Sequence, residues 1–80
     1  YKMVGDFFKK HRQKAGLSQL KVSTTLGYTS TQMISNWERG ICAPPYSSLK
    51  KLMKLYGFTK TELVEIMTKV TKEQINIALK

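Results

Sequence analysis

Apolar residues recur at helical spacing along almost the whole chain, interrupted by glycine and proline at intervals that cut it into short helices. In the first segment Val4, Phe7, Phe8, His11 and Ala15 share a stripe while Lys9, Lys10, Gln13 and Lys14 face away. Gly16 stops this helix in the usual place just past a C-terminus. Ser18 is placed to cap a second, two-turn helix with Val22, Ser23 and Leu26 inward, and Gly27 ends it. Tyr28-Thr29-Ser30 is a tight connection in which Thr29 or Ser30 can cap a third helix. That helix points Met33, Ile34 and Trp37 to one side and Thr31, Gln32, Ser35, Asn36 and Arg39 to the other, with Gly40 closing it.

The paired Pro44 and Pro45 must be loop, and they can start the next helix but not continue one. A fourth helix then carries Tyr46, Leu49, Leu52, Met53 and Tyr56 inward, and Gly57 followed by Phe58 fits a glycine cap with its apolar contact. Thr59-Lys60-Thr61-Glu62 is a capping box that opens a fifth helix with Leu63, Ile66, Met67 and Val70 at helical spacing. The tail carries two signals. Thr71-Lys72-Glu73-Gln74 is a second capping box and favours an extra C-terminal helix, yet Ile75, Ile77 and Leu79 alternate as in a strand. The helical reading is preferred, and the fold class expected is a compact all-α domain of five helices.

Composition narrows the function. At 80 residues the chain makes one domain, with 41% hydrophobic residues to build a core. One cysteine, Cys42, and one histidine, His11, exclude a disulfide framework and a zinc site. Nothing approaches the ~18 apolar residues of a membrane span. The opening stretch from Tyr1 to His11 does not read as a signal peptide, because its basic residues follow the apolar ones. A cytoplasmic location is therefore expected. Because Tyr1 is not an initiator Met and Lys80 is an abrupt stop, a piece of a longer regulator is also in view.

The formal net charge is +9, and residues 1–54 hold ten Lys and Arg against only Asp6 and Glu38. A basic block of this density suits a polyanion, because cations that neutralise phosphates release condensed counterions. Charge alone does not distinguish this from a solubilising surface. No Ser-His-Asp set, phosphate-binding glycine loop or metal-ligand spacing can be assembled, so neither catalysis nor a cofactor is expected.

The most specific signal lies in the second and third helices. Ser23 is a small residue at their crossing, Gly27 sits at the bend, and Val22, Leu26, Tyr28, Ile34 and Trp37 can pin both to a core. The order Arg12…Gly16-Leu17-Ser18-Gln19…Leu26-Gly27…Ile34-Ser35-Asn36-Trp37-Glu38-Arg39-Gly40…Pro44…Leu49…Leu52…Gly57 resembles the lambda-repressor/Cro-like, or XRE-type, helix-turn-helix family over roughly residues 4–67. Two departures stand out. The turn at Tyr28-Thr29-Ser30 is one residue longer than the family's, and Ser23 stands where alanine is more usual.

In the fifth helix and the tail, 70–80, Ile66, Val70, Ile75, Ile77 and Leu79 exceed what a small core requires, so a dimerisation element is expected there. The resemblance implies a helix-turn-helix domain over residues 1–69. It places the third helix, about 31–39, in the DNA major groove. Thr31, Gln32, Ser35 and Asn36 then become the base contacts, with Thr31 or Gln32 leading. Gln32 and Asn36 suit adenine, whose N6 and N7 a side-chain amide can pair bidentately. Gln19, Arg39, Lys50 and Lys51 are the implied phosphate contacts, which fix register without reading sequence. Arg12 and Glu38 form an implied structural ion pair. Trp37 falls at a core position, so intercalation is the weaker reading. The partner expected is duplex DNA carrying an inverted repeat, bound by a homodimer acting as a transcriptional repressor. Its source is prokaryotic or phage by the same resemblance. A protein-interaction role, as an antitoxin or an adaptor, is the alternative.

Overall fold

The computed structural model describes residues 2–80, which form five helices and no strand: α1 (Lys2–Lys14), α2 (Gln19–Leu26), α3 (Gln32–Glu38), α4 (Tyr46–Tyr56) and α5 (Lys60–Ala78). No helix among the described residues is long and apolar enough to cross a membrane. The all-α architecture is as expected, and the differences lie at particular positions.

In α1, Val4, Phe8 and Arg12 are buried, with Phe7 and His11 half-buried beside them. Ala15 does not extend the stripe. It lies past the last helical residue and is exposed, because Gly16 adopts a left-handed conformation with φ 76° and turns the chain away. Ser18 caps α2 by accepting from the Lys21 N–H at 3.0 Å, and the Tyr28 N–H returns to the Ser23 carbonyl at 2.9 Å to close its far end. α3 is two residues shorter than expected, with Thr31 and Arg39 as its flanking caps. Neither Thr29 nor Ser30 is the N-cap: that position falls to Thr31, whose side chain makes no capping bond, while the Ser30 hydroxyl just before it accepts from the Gln32 N–H at 3.3 Å.

Met33 and Tyr46 were expected inside but are 38% and 83% exposed. Successive helical residues are about 100° apart, and Ile34, Trp37 and Glu38 already fill the buried side of α3, which leaves Met33 at its rim. Tyr46 is the first residue of α4 and stands beyond the core, beside Met67 of α5. The tail is helical, as preferred over a strand, but it continues α5 and adds no separate helix. The Thr71 hydroxyl donates to the Met67 carbonyl at 3.0 Å within the helix, so it caps nothing. Val70 is the last buried residue, and every residue from Thr71 to Lys80 is exposed.

The core is built from Val4, Phe8, Val22, Ile34, Trp37, Leu52, Tyr56, Phe58 and Val70. α1 packs on α3, α4 and α5, while α2 packs on α3 and α4. Phe58 joins the two ends of the fold: its ring meets Phe7 edge-on at 5.2 Å and Phe8 at 5.8 Å. The capping box at the start of α5 is complete. Thr59 Oγ1 accepts from the Glu62 N–H, and Glu62 Oε1 accepts from the Thr59 N–H, both at 3.1 Å.

Glu62 also approaches His11, with Nε2 3.5 Å from Oε2. The hydrogen bonds from the Thr59 backbone and hydroxyl hold the Glu62 carboxyl below its ordinary value, with His11 and Lys14 adding to the effect. A depressed carboxylate contributes stability that is full above its unfolded pKa and disappears as pH falls through the folded one. Wild type is therefore expected to melt above Glu62→Gln at neutral pH, with the gap closing once pH falls below about 4. Melting curves of both proteins across that range check this, and a gap independent of pH would contradict it.

Candidate nucleic-acid interface

The second and third helices are held together by fully buried contacts. Val22 and Ser23 of α2 and Ile34 of α3 are 0–1% exposed. Trp37 is 2% exposed and meets the Tyr28 ring edge-on at 5.9 Å, so it anchors α3 from below. The outer side of α3 is left to polar residues.

Ser23 does more than leave space. Its hydroxyl donates to the Ser30 carbonyl at 2.8 Å, while the Ser30 hydroxyl accepts from Gln32, the first residue of α3. The serine at the crossing and the turn are therefore joined: the Ser23 hydroxyl satisfies a carbonyl that the turn presents. Each departure was visible in the sequence, but their connection was not. Ser23→Ala is expected to cost about 1 kcal/mol, rising toward ~3 kcal/mol if the carbonyl is left dry. Urea unfolding measures it, and an unchanged midpoint would show that water serves Ser30 equally well.

Arg12 and Glu38 meet at the back of the same unit. Arg12 Nε donates to Glu38 Oε2 at 2.6 Å and Nη2 to Oε1 at 3.1 Å, a two-pronged pairing. The third guanidinium nitrogen, Nη1, donates to the Leu17 carbonyl at 2.8 Å, and Gln19 Nε2 donates to Glu38 Oε1 at 3.1 Å. One carboxylate thus ties α1, α2 and α3 together. The hydrogen bond from Arg12 to Glu38 raises the guanidinium pKa further, against the opposing effect of burial. Burial also pushes the Tyr56 phenol well above its ordinary range, assisted by the Glu38 charge. Gln19, expected at a phosphate, is half-buried and spends one amide N–H on this brace.

α3 itself brings the expected base-contacting residues together. Gln32 leads the helix and is exposed, Ser35 and Asn36 are half-buried, and Thr31 is the half-buried N-cap. Gln32 Nε2 donates to Asn36 Oδ1 at 2.8 Å, and Arg39 Nη2 donates to the same oxygen at 3.0 Å. These three side chains, spaced at one helical turn, form a continuous hydrogen-bonded array on the outer face. Lys50 and Lys51 stand exposed on α4, outside that array.

The sequence reading missed Gly5, which is buried where α1 meets the end of α3. A side chain there would collide with the Trp37 and Glu38 carbonyls. A glycine inside a helix signals only a weak helix former, so periodicity could not reveal the contact.

Two short helices braced on a core, with a polar and partly charged outer face, define a DNA-binding helix-turn-helix domain. The comparison with family models agrees, matching a Helix-turn-helix model over residues 8–63. The chain belongs to the lambda-repressor/Cro-like (XRE-type) helix-turn-helix family. No curated protein and no solved structure matches it.

Proposed function

We propose that the domain reads duplex DNA sequence-specifically as a transcriptional regulator, acting as a repressor, with α3 in the major groove. The observation that carries this reading is the outer face of α3. There Gln32, Ser35, Asn36 and Arg39 present hydrogen-bonding groups on a helix whose other side is locked by Ile34, Trp37 and the Arg12–Glu38 pair. Thr31 flanks them at the helix start. Lys50, Lys51 and the remaining amide N–H of Gln19 supply contacts to phosphates, which position the protein without reading bases. Repression is the simpler activity, since occupancy of a promoter suffices for it.

One module of this size reads too few base pairs for strong selectivity, which favours a homodimer on two half-sites. The end of α5 supports self-association, because Ile75 and the capping Leu79, one turn apart on one face, are 51% and 81% exposed, while Ile77, 74% exposed, lies on the other side of the helix. Of the apolar residues the sequence assigned to that surface, Val70 is buried in the core and Ile66 is half-buried. Sedimentation equilibrium with and without DNA tests the dimer.

Selection of bound duplexes from a random pool at physiological salt tests the function. An inverted repeat is expected, and Gln32→Ala should lose preference at one base position while leaving the salt dependence nearly intact. Binding without enrichment would reduce the contact to charge alone, and no binding would direct the search to a protein partner.

A further inference from the structure

The hydrogen bonds on α3 leave its free donors and acceptors unevenly distributed. Asn36 Oδ1 accepts from both Gln32 Nε2 and Arg39 Nη2. A side-chain amide oxygen has two lone pairs, so these two bonds fill it. What Asn36 still offers to a groove is its NH2 group. Arg39 is a donor only, and with one N–H held by Asn36 it keeps the rest of its fork.

Adenine shows the major groove an acceptor beside a donor, so a single amide must offer both an oxygen and an N–H to pair with it. Asn36 can do this only by releasing Gln32 or Arg39, which breaks the array. Guanine shows two acceptors, N7 and O6, and takes two donors, most often from an arginine fork. Arg39 is suited to that role. It lies one turn beyond Asn36 on the same face, and helical side chains lean toward the N-terminus, so its guanidinium lies level with Asn36 in the middle of α3. It also carries the only formal charge on that face, because Glu38 is buried against Arg12.

We propose that Arg39 reads a guanine in each half-site and that Asn36 is the positioning residue that holds its fork. This rests on α3 being the major-groove helix. It exchanges the roles the resemblance implied, taking Arg39 from phosphate to base and Asn36 from base to brace. The Gln32 N–H fixes the Asn36 amide, and the Asn36 oxygen fixes the rotation of the guanidinium. Gln32 keeps its own oxygen and one N–H, and remains free to pair with a neighbouring base.

Duplex selection from a random pool, with wild type, Arg39→Lys, Asn36→Ala and Asn36→Asp, tests the assignment. All three substitutions lie on the outer face, and circular dichroism confirms that each variant is folded before selection. Wild type should enrich a motif with a guanine preferred roughly 5- to 150-fold, the range a good bidentate contact supplies. Arg39→Lys keeps the charge and loses the fork, so that preference should collapse. Asn36→Ala should weaken it, whereas Asn36→Asp keeps an acceptor for Arg39 and should retain guanine even where total affinity falls. An aspartate in direct contact with a base would instead favour cytosine, whose N4 is a donor. A motif whose adenine depends on Asn36 and survives Arg39→Lys would overturn the proposal and leave sequence-specific binding standing. Absence of any motif with wild type would overturn both.

Discussion

Gly5→Ala is expected to lower the melting temperature by roughly 10–15 °C, although alanine is the better helix former. The substitution gains about 1 kcal/mol of helix propensity in α1. Against this, the added Cβ would lie 2.7 Å from the Trp37 carbonyl oxygen and closer still to that of Glu38. Both neighbours are backbone, so no side chain can rotate aside, and α1 must lift from the end of α3. Overpacking costs typically 1–3 kcal/mol where side chains can adjust, and the upper end or beyond applies here. A net loss of at least ~2 kcal/mol follows, and each kcal/mol shifts the melting point of a domain this size by about 4–8 °C. Gln13→Ala, on the exposed side of the same helix, is the control and should stay within ~0.5 kcal/mol of wild type. An alanine variant as stable as wild type would mean that α1 and α3 do not approach this closely.

The contrast between Gly5 and the other glycines shows what the sequence could convey. Gly16, Gly27, Gly40 and Gly57 each follow an apolar run with helical period, and all four adopt positive φ. That signal is local, since the residue after a helix must turn and glycine turns most cheaply. Gly5 answers to backbone in a distant segment, and no local pattern encodes such a partner. Periodicity likewise names the apolar side of a helix without saying whether a neighbour covers it, which is why Tyr46 and Met33 were expected inside. Thr71 reads as a cap because its composition matches one, but a hydroxyl that bonds back along its own helix fits the same letters.

The candidate site was legible to a similar depth. Polar residues at helical spacing marked the outer face of α3, and the resemblance paired Arg12 with Glu38. The bonds between Gln32, Asn36 and Arg39 were not legible, because residue types leave open which N–H an amide oxygen takes. Gln19 was ambiguous for the same reason. A glutamine at the start of a helix can reach outward to a phosphate or inward to a carboxylate, and only the fold shows Glu38 within 3.1 Å.

Glu38→Ala should be the most damaging change to the brace behind α3, costing about 3–5 kcal/mol. For 80 residues, total stability is of the order of 4–12 kcal/mol, so this is a large part of it. The cost does not measure the strength of the ion pair. It arises because the Arg12 guanidinium would remain buried with only the Leu17 carbonyl to satisfy it, while Gln19 would lose its acceptor on α3. Two experiments separate these meanings. Raising the salt concentration should not rescue the variant, since the pair is only 11% and 3% exposed at its side chains and mobile ions reach it poorly. Replacing both partners, Arg12→Met with Glu38→Leu, should recover most of the loss, because no charge is then stranded. Urea unfolding at matched slopes gives all three stabilities. If the double variant proves as unstable as the single one, the value of the pair lies in the hydrogen-bond geometry joining α1, α2 and α3, and apolar packing cannot replace it.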